Sequence, residues 1–447
     1  MSYSTAIFTL LSLLFLIIYQ IKIWKLRVVM SPAFYFAIIW SFGVIGCLVL
    51  SPVGFLYEPY PQYINELNIL IAFTALCFIL LTKHKYKKVN QGPIRLSFCT
   101  KDTFRLLTTL FLFAAIVDFI RLGGSFNVGG ARQNLAEITA GRPTWIGYCQ
   151  LLSLPLSMYA GAKFVSILSK QIRVSLFDGV FLCLPLVANL VFSLNVGGRV
   201  DFVYAFAQYL IGFSLGLPIS SKLSIYKKYL KYLLFSGIFL VLFISAVGKA
   251  RSEFTGNDSA ARIYFEEMNP IVGALYGPVE YIIASYNGYQ LRRVDAVEED
   301  ELGYGRYTFN GFINWNIPFA GTMGIKNASI AKALDIYYDN QETYDYKREL
   351  FYTTHSCYLT IIKDYGFKGA FLCIIFLTYL AHYFFILIQT KQVIKHACQL
   401  YFFFLFWNYW AKSNFYGTLS STVLIPLYGF IICDLFRFVI NVIRKRN

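Results

Sequence analysis

The chain has 447 residues, of which 57% are hydrophobic, 19% aromatic and only 14% charged, with a formal net charge of +16. Soluble proteins carry roughly a quarter charged residues, and the apolar runs of about 18 or more residues that recur here have the length of membrane-spanning helices, so a set of soluble domains is excluded. Alternation with period 2 is nowhere sustained, which excludes an outer-membrane barrel, and the surplus of Lys and Arg reads as the marking of cytoplasmic loops rather than a nucleic-acid surface.

The pattern predicts about eleven spans. The first covers about Thr5–Ile23 and closes on Lys22, Lys25 and Arg27; it lacks a small-residue cleavage site, so it reads as a span and not a signal peptide. The second and third cover about Pro32–Leu50 and Leu67–Thr82. The loop between them has no Lys or Arg, whereas the loop after the third holds Lys83, Lys85, Lys87, Lys88 and Arg95. That contrast predicts an N-terminus outside, a cytoplasmic basic loop and an external Glu58. Spans four to eight follow at about Phe104–Ile120, Ile146–Leu168, Val174–Leu194, Asp201–Leu217 and Tyr232–Val247.

Residues 249–353 then form one large outer loop, acidic but rich in Tyr, Phe and Trp. That composition predicts several short helices folded over the outer surface rather than disorder. Spans nine to eleven cover about Lys368–Ile388, His396–Trp410 and Thr418–Phe436, and the basic C-terminus is cytoplasmic. The chain thus divides into residues 1–248 with eight spans, the outer loop 249–353, and residues 354–447 with three spans. The expected fold class is an all-α polytopic membrane protein.

The 9 cysteines are scattered, mostly inside apolar runs and without a C-x-x-C pair, so they read as small apolar fillers rather than disulfides or metal ligands. Lys163 and Asp178 fall toward the inner ends of neighbouring spans and are expected to pair with each other or to snorkel. Asp118, at the outer end of span four, is either functional or the partner of a loop arginine.

Two outer turns share the tetrapeptide Asn-Val-Gly-Gly, at 127–130 and 195–198, and each is followed by arginine: Arg132 after one residue, Arg199 directly. Paired glycines let backbone N–H groups converge into an anion-binding concavity, and a guanidinium adds a planar fork suited to phosphate oxygens. Arg199 also precedes a helix amino end, which adds positive potential. A tight turn that requires Gly197 and Gly198, with arginine on lipid headgroups, is the competing reading. Arg121, Arg132, Arg142, Arg251 and Arg262 are further external arginines, which a positive-inside bias should deplete. They point to an anionic ligand, a diphosphate above all, with loop salt bridges as the alternative for each. Of 4 histidines only His355 is placed to meet a substrate outside. Its ordinary pKa near 6.5 suits removal of a proton from a hydroxyl, and a structural role is the alternative.

The stretch T-H-S-x-Y-L-x-x-I-x-D-Y-G-F-x-G, carrying His355, Leu359, Asp364, Gly366 and Gly369, resembles the signature of the O-antigen polymerase and O-antigen ligase superfamily. Gly197, Gly198 and Arg199 resemble its second hallmark, a small-small-Arg motif before a span entering from outside. The resemblance implies a GT-C-like helical fold in the bacterial inner membrane with its active site on the periplasmic face. It implies a polymerase that moves a growing glycan from one undecaprenyl diphosphate to a sugar hydroxyl on the next lipid-linked repeat unit, for O-antigen or capsule. His355 and Arg199 would be catalytic, and the other external arginines, Gly197, Gly198 and Asp364 would bind diphosphate or glycan. Arginine can stabilise the departing diphosphate, so no metal and no cofactor is expected. The implied partners are the lipid-linked oligosaccharide, the bilayer and a chain-length regulator. An O-antigen ligase, another lipid-phosphate-sugar glycosyltransferase and a lipid-linked oligosaccharide flippase or transporter stay open as alternatives.

Overall fold

A computed structural model of the chain describes residues 3–52, 60–83, 89–124, 141–168, 175–195, 200–219, scattered positions between 231 and 246, 260–297, 302–305, 307–309, 344–345, 350–351, 356–413 and 426–446. Among the described residues the fold is helical apart from two pairs of two-residue strands, β1 (Arg95–Leu96) with β4 (Val393–Ile394) in parallel and β2 (Tyr344–Asp345) with β3 (Leu350–Phe351) antiparallel.

Helices α1 (Tyr3–Trp24), α2 (Pro32–Leu50), α3 (Pro61–Lys83) and α4 (Lys101–Arg121) lead the chain. They are followed by α5 (Thr144–Gln150), α6 (Ser153–Leu168), α7 (Leu176–Asn195) and α8 (Val200–Leu215). Beyond these come α9 (Ala260–Met268), α10 (Pro270–Val297), α11 (Cys357–Gln389), α12 (Tyr401–Ala411) and α13 (Pro426–Arg446). Among the described residues 8 helices or helix pairs are long and apolar enough to cross a membrane. They overlap expected spans one to six, nine and eleven; α11 begins at Cys357 rather than at about Lys368, and α13 runs on to Arg446 rather than ending at about Phe436. Lipid is the medium that such a surface fits: Phe8, Leu11 and Ile18 of α1 and Phe438 of α13 all project from the bundle.

The remaining expected spans differ. The seventh is α8, a shorter apolar helix of 16 residues. The tenth is α12, with 11 residues after a 3-10 turn at Ala397–Leu400. The eighth falls largely outside the described residues. Within the expected outer loop, α10 is no short surface helix: it has 28 residues and crosses α2 and α3. Tyr286 lies against Gly43, and Ile283 fills the space that a Cβ at Gly46 would need. Small residues on α2 thus admit large ones from α10, a mode of packing that suits helices lacking a hydrophobic driving force in lipid. The same device joins α6 to α8, where a Cβ at Gly161 would collide with Tyr209 O and one at Gly212 with Met158 O.

At one end of the bundle lie the basic turns, and this basic end is closed by a buried charge. Arg27 is fully buried. Its guanidinium donates to Leu217 O at 3.0 Å, Asn90 O at 2.8 Å, Gln389 Oε1 at 3.0 Å and Gly92 O. These acceptors come from the ends of α8 and α11 and from the segment after α3. That segment is held further by Asn90 N–H to Gln389 O, by Ile94 N–H to Leu215 O and by the β1–β4 pairing. These peptide and amide oxygens satisfy the guanidinium donors where water cannot.

The expected Lys163–Asp178 pair does not form. Asp178 at the start of α7 is held instead by Lys101 Nζ at 2.7 Å and by Arg105 from the start of α4, and Lys163 lies over the Tyr159 ring at 5.3 Å. The sequence placed both residues at the right depth; the neighbour of α7 at that level is α4.

Arg27→Met keeps the side chain's length and leaves the carbonyls unsatisfied, so it is expected to destabilise the bundle by roughly 3 kcal/mol or more. A thermal melt of the purified protein in detergent checks this; an unchanged midpoint would show that the guanidinium is dispensable there.

Candidate active site

α11 is two helices joined by a kink. Gly366 has φ 67 and ψ 171, a conformation that side chains with a Cβ disfavour. Before it, residues 357–364 are all buried. Tyr358 Oη lies 2.7 Å from Thr74 Oγ1, midway along α3, and its ring packs 5.4 Å from Trp40, midway along α2. The first segment therefore begins inside the bundle and runs outward to Tyr365, before the span proper turns back toward Gln389 at the basic end.

α12 ends at the level where α11 begins. Its 11 residues rise about 16 Å, roughly half of a ~30 Å hydrocarbon core. Ser413, just beyond it, accepts Cys357 N–H at 2.6 Å through its carbonyl and Trp40 Nε1–H at 2.8 Å through its hydroxyl. Lys412 reaches across to α8, with Nζ 3.6 Å from the centre of the Tyr204 ring. Tyr204 lies little more than one turn after Arg199, and Ser356 directly follows His355. The first turns of α8 and α11 are thus linked through the end of α12; His355, Arg199, Gly197 and Gly198, which precede them in sequence, lie outside the described residues.

Sequence reasoning missed three residues at this junction: Lys412, Tyr204 and Ser356. Lys412 stands in W-A-K-S-N, between two apolar runs and away from the basic turns. The positive-inside argument that singled out the external arginines applies to it equally. One turn deeper on the same helix faces, Gln208 of α8 and Asn408 of α12 are buried, and neither Gln208 Nε2, Gln208 Oε1 nor Asn408 Oδ1 has a hydrogen-bond partner.

Arg121 and Arg142, both expected to bind diphosphate, are held by Asp118, which is fully buried in the last turn of α4. Arg121 Nε and Nη2 lie 3.1 and 3.0 Å from Oδ1, and Arg142 Nη2 lies 2.6 Å from Oδ2. Arg142 also donates to Gln150 Oε1 at 3.2 Å and stacks over Phe192 at 5.7 Å. The Asn195 amide lies 3.4 Å from Asp118 Oδ2. The cluster ties α4, α5 and the end of α7 together, so the geometry of these two arginines is that of struts.

Asp364 is likewise corrected from a substrate ligand to a clamp. It is fully buried, and its two oxygens accept Tyr307 N–H at 3.1 Å and Thr308 N–H at 2.6 Å. Gly303 N–H and Tyr304 N–H donate to Lys363 O and Asp364 O. The acidic-x-Gly-x-x-Gly motif is therefore a fold element: the Asp364 carboxylate pins Tyr307 and Thr308, Gly366 makes the kink, and a Cβ at Gly369 would sit 2.8 Å from Tyr365 Cβ. A notch of about 360 Å³ beside the clamp is lined by Leu302, Tyr304, Phe309, Tyr365, Leu372 and Phe376; it is apolar and separate from the Lys412 junction.

Arg132 and Arg251 lie outside the described residues, and of Arg262 only the α9 backbone is described. Among the described residues no group of three or more His, Cys, Asp or Glu could hold a metal. All 9 cysteines are free. No protein-family model, curated protein or solved structure matches the chain, so a functional reading rests on its residues and their geometry.

Asp118→Asn leaves two guanidinium groups without their anion, and the partner Arg142 is only 12% exposed. The variant is expected to lose roughly 2–3 kcal/mol, and Arg142→Gln about as much. Chemical denaturation in detergent checks both; a loss in the double variant equal to the sum of the singles would show that the pair is not coupled.

Proposed function

We propose that the chain is a polymerase of lipid-linked oligosaccharide repeat units, acting at the periplasmic face of a bacterial inner membrane and building O-antigen or capsular polysaccharide. The growing glycan leaves one undecaprenyl diphosphate and joins a sugar hydroxyl on the next repeat unit. In the step, the bond between the anomeric carbon and the diphosphate oxygen breaks as the acceptor oxygen forms its bond to that carbon. His355 takes the hydroxyl proton, and Arg199 stabilises the charge gathering on the diphosphate.

One observation supports this reading above the others. The start of α11, next to His355, and the start of α8, next to Arg199, are joined through Cys357–Ser413 and Lys412–Tyr204. A base and a cation far apart in sequence are thereby supported by one framework, as a reaction between an acceptor hydroxyl and a departing anion needs. The Asp118 cluster braces the end of α7, which precedes Arg199 in sequence, and the Asp364 clamp braces the far side of the helix that follows His355. The expected count of about eleven spans belongs to this reading, with α8 and the short α12 ending inside the membrane thickness.

Arg199→Ala in the native host is expected to abolish long glycan chains while single repeat units still reach the lipid anchor. Gel analysis of surface polysaccharide reads this directly. A full ladder of lengths would overturn the diphosphate role, and loss of every glycan above the core would favour a ligase or flippase. His355→Ala is expected to slow chain growth by about 10²-fold or more with normal membrane insertion; unchanged chain length would make His355 structural.

A further inference from the structure

We infer that the notch beside the Asp364 clamp seats the hydrocarbon chain of a polyprenyl lipid where α11 enters the membrane. The choice of lipid rests on the proposed reading; the seat itself rests on the geometry of α11.

Depth comes first. From the kink at Gly366 the span runs to Gln389, which meets Arg27 at the basic end. Those 23 steps rise about 35 Å, little more than a ~30 Å hydrocarbon core. Leu372 and Phe376 therefore lie about 9 and 15 Å below the kink, inside the hydrocarbon at the end away from the basic turns. Tyr304 and Tyr365 lie at its edge, where phenol rings are at home. The notch of about 360 Å³ thus straddles the boundary, with apolar walls below and two hydroxyls above.

Its outer wall is continuous with the surface that meets lipid. Leu372 is 73% exposed, and Phe376 and the neighbouring Ile375 and Tyr379 project from the same stretch of span. Asp364 is the one charged residue of the lining, and both its oxygens are taken by Tyr307 and Thr308 N–H. A sugar or headgroup in the notch would lose its water bonds and find few in return. A chain loses none.

The mouth of the notch is held in a costly shape. Tyr304 has φ 49 and Gly305 has φ 94, and a bulky residue with positive φ is an outlier that clusters at functional sites. The bonds from Gly303 N–H to Lys363 O and from Tyr304 N–H to Asp364 O impose it. A Cβ at Gly305 would lie 2.9 Å from Tyr365 Oη. The outcome is a tyrosine 80% exposed at the rim, which packing of the bundle does not require.

Four rings, Tyr304, Phe309, Tyr365 and Phe376, line the notch. Their faces suit the flat, methyl-branched units of a polyprenyl chain. Such a chain has a fixed double bond in every unit, so it loses less freedom when seated than a saturated acyl chain does. The first α11 segment, about 12 Å long from Cys357 to Tyr365, separates the notch from the Lys412 junction. The seat is therefore a holding place for one lipid-linked substrate beside the proposed reaction site, and no part of the diphosphate pocket.

The experiment uses the full chain in nanodiscs, with undecaprenyl phosphate as probe and hexadecyl phosphate as a straight-chain probe with the same headgroup. Binding is read by native mass spectrometry across a titration, and folding by thermal melt. Leu372→Trp, which narrows the notch from its lipid-exposed side, is expected to weaken undecaprenyl phosphate about tenfold. Tyr304→Gly removes a ring and relieves the positive φ, so it should weaken the same probe severalfold without lowering the melt. Hexadecyl phosphate should bind more weakly to the unaltered protein and respond to neither change. Unaltered undecaprenyl phosphate binding in both variants overturns the seat. Equal losses for the two probes overturn the polyprenyl assignment, because an ordinary phospholipid chain would then fill the notch as well. Should Leu372→Trp fail to fold, Tyr304→Gly decides. Arg199→Ala, scored for chain length in cells, judges the polymerase reading separately. A full ladder there with weakened lipid binding in the notch variants sinks the polymerase and leaves a polyprenyl seat; loss of the ladder with unaltered lipid binding sinks the seat alone.

Discussion

The backbone bond from Cys357 to Ser413 sets the depth at which α11 begins, and the arrangement of the candidate site follows from that depth. Inside a membrane protein a free helix end must find its partners within the protein, because the hydrocarbon offers none. The amino end of α11 has orphan donors and the carboxyl end of α12 has orphan acceptors. Bringing them together satisfies one donor, Cys357 N–H, on Ser413 O just beyond α12, and it sets a positive helix end beside a negative one. The pairing needs α12 to be short and needs a segment before Gly366 to dip inward. Both conditions are met, by an 11-residue helix and by a glycine at φ 67.

Buried charge is managed differently at the two ends of the bundle. Arg27 at the basic end is surrounded by carbonyls from α8, α11 and the segment after α3. Asp118 at the other end is surrounded by two guanidinium groups, and Asp364 by backbone N–H groups. Each arrangement follows from the cost of isolating a charge in a low-dielectric interior. Each also joins segments distant in sequence, so these residues act as struts. A scaffold of such struts can fix the ends of the helices it joins.

This distinction between struts and reacting groups redistributes the external arginines. Arg121 and Arg142 resembled Arg199 as cations outside the basic turns, but an acidic partner one helical turn or one loop away holds them. Lys412 was overlooked, and it lies where the end of α12 meets the starts of α8 and α11. A positive charge away from the basic turns points to an anion; only the surrounding contacts tell whether that anion is Asp118 or a substrate.

Residue order by itself determined the helical membrane class and the eight long helices, because each needs only about 20 consecutive apolar residues and no knowledge of its neighbours. It also singled out Asp118, as either functional or the partner of a loop arginine, and the Asp364-to-Gly369 stretch, as part of a motif. Tertiary structure alone decided that α10 crosses α2 and α3, that Asp178 pairs with Lys101 and Arg105 rather than Lys163, that Asp364 is capped by backbone, and that α12 stops partway through. The physical reason is common to all four. Apolar runs report what a segment is buried in, whereas its depth, its partner and the use of its polar atoms are set by contacts between residues far apart in the chain, such as Cys357 with Ser413 and Lys412 with Tyr204.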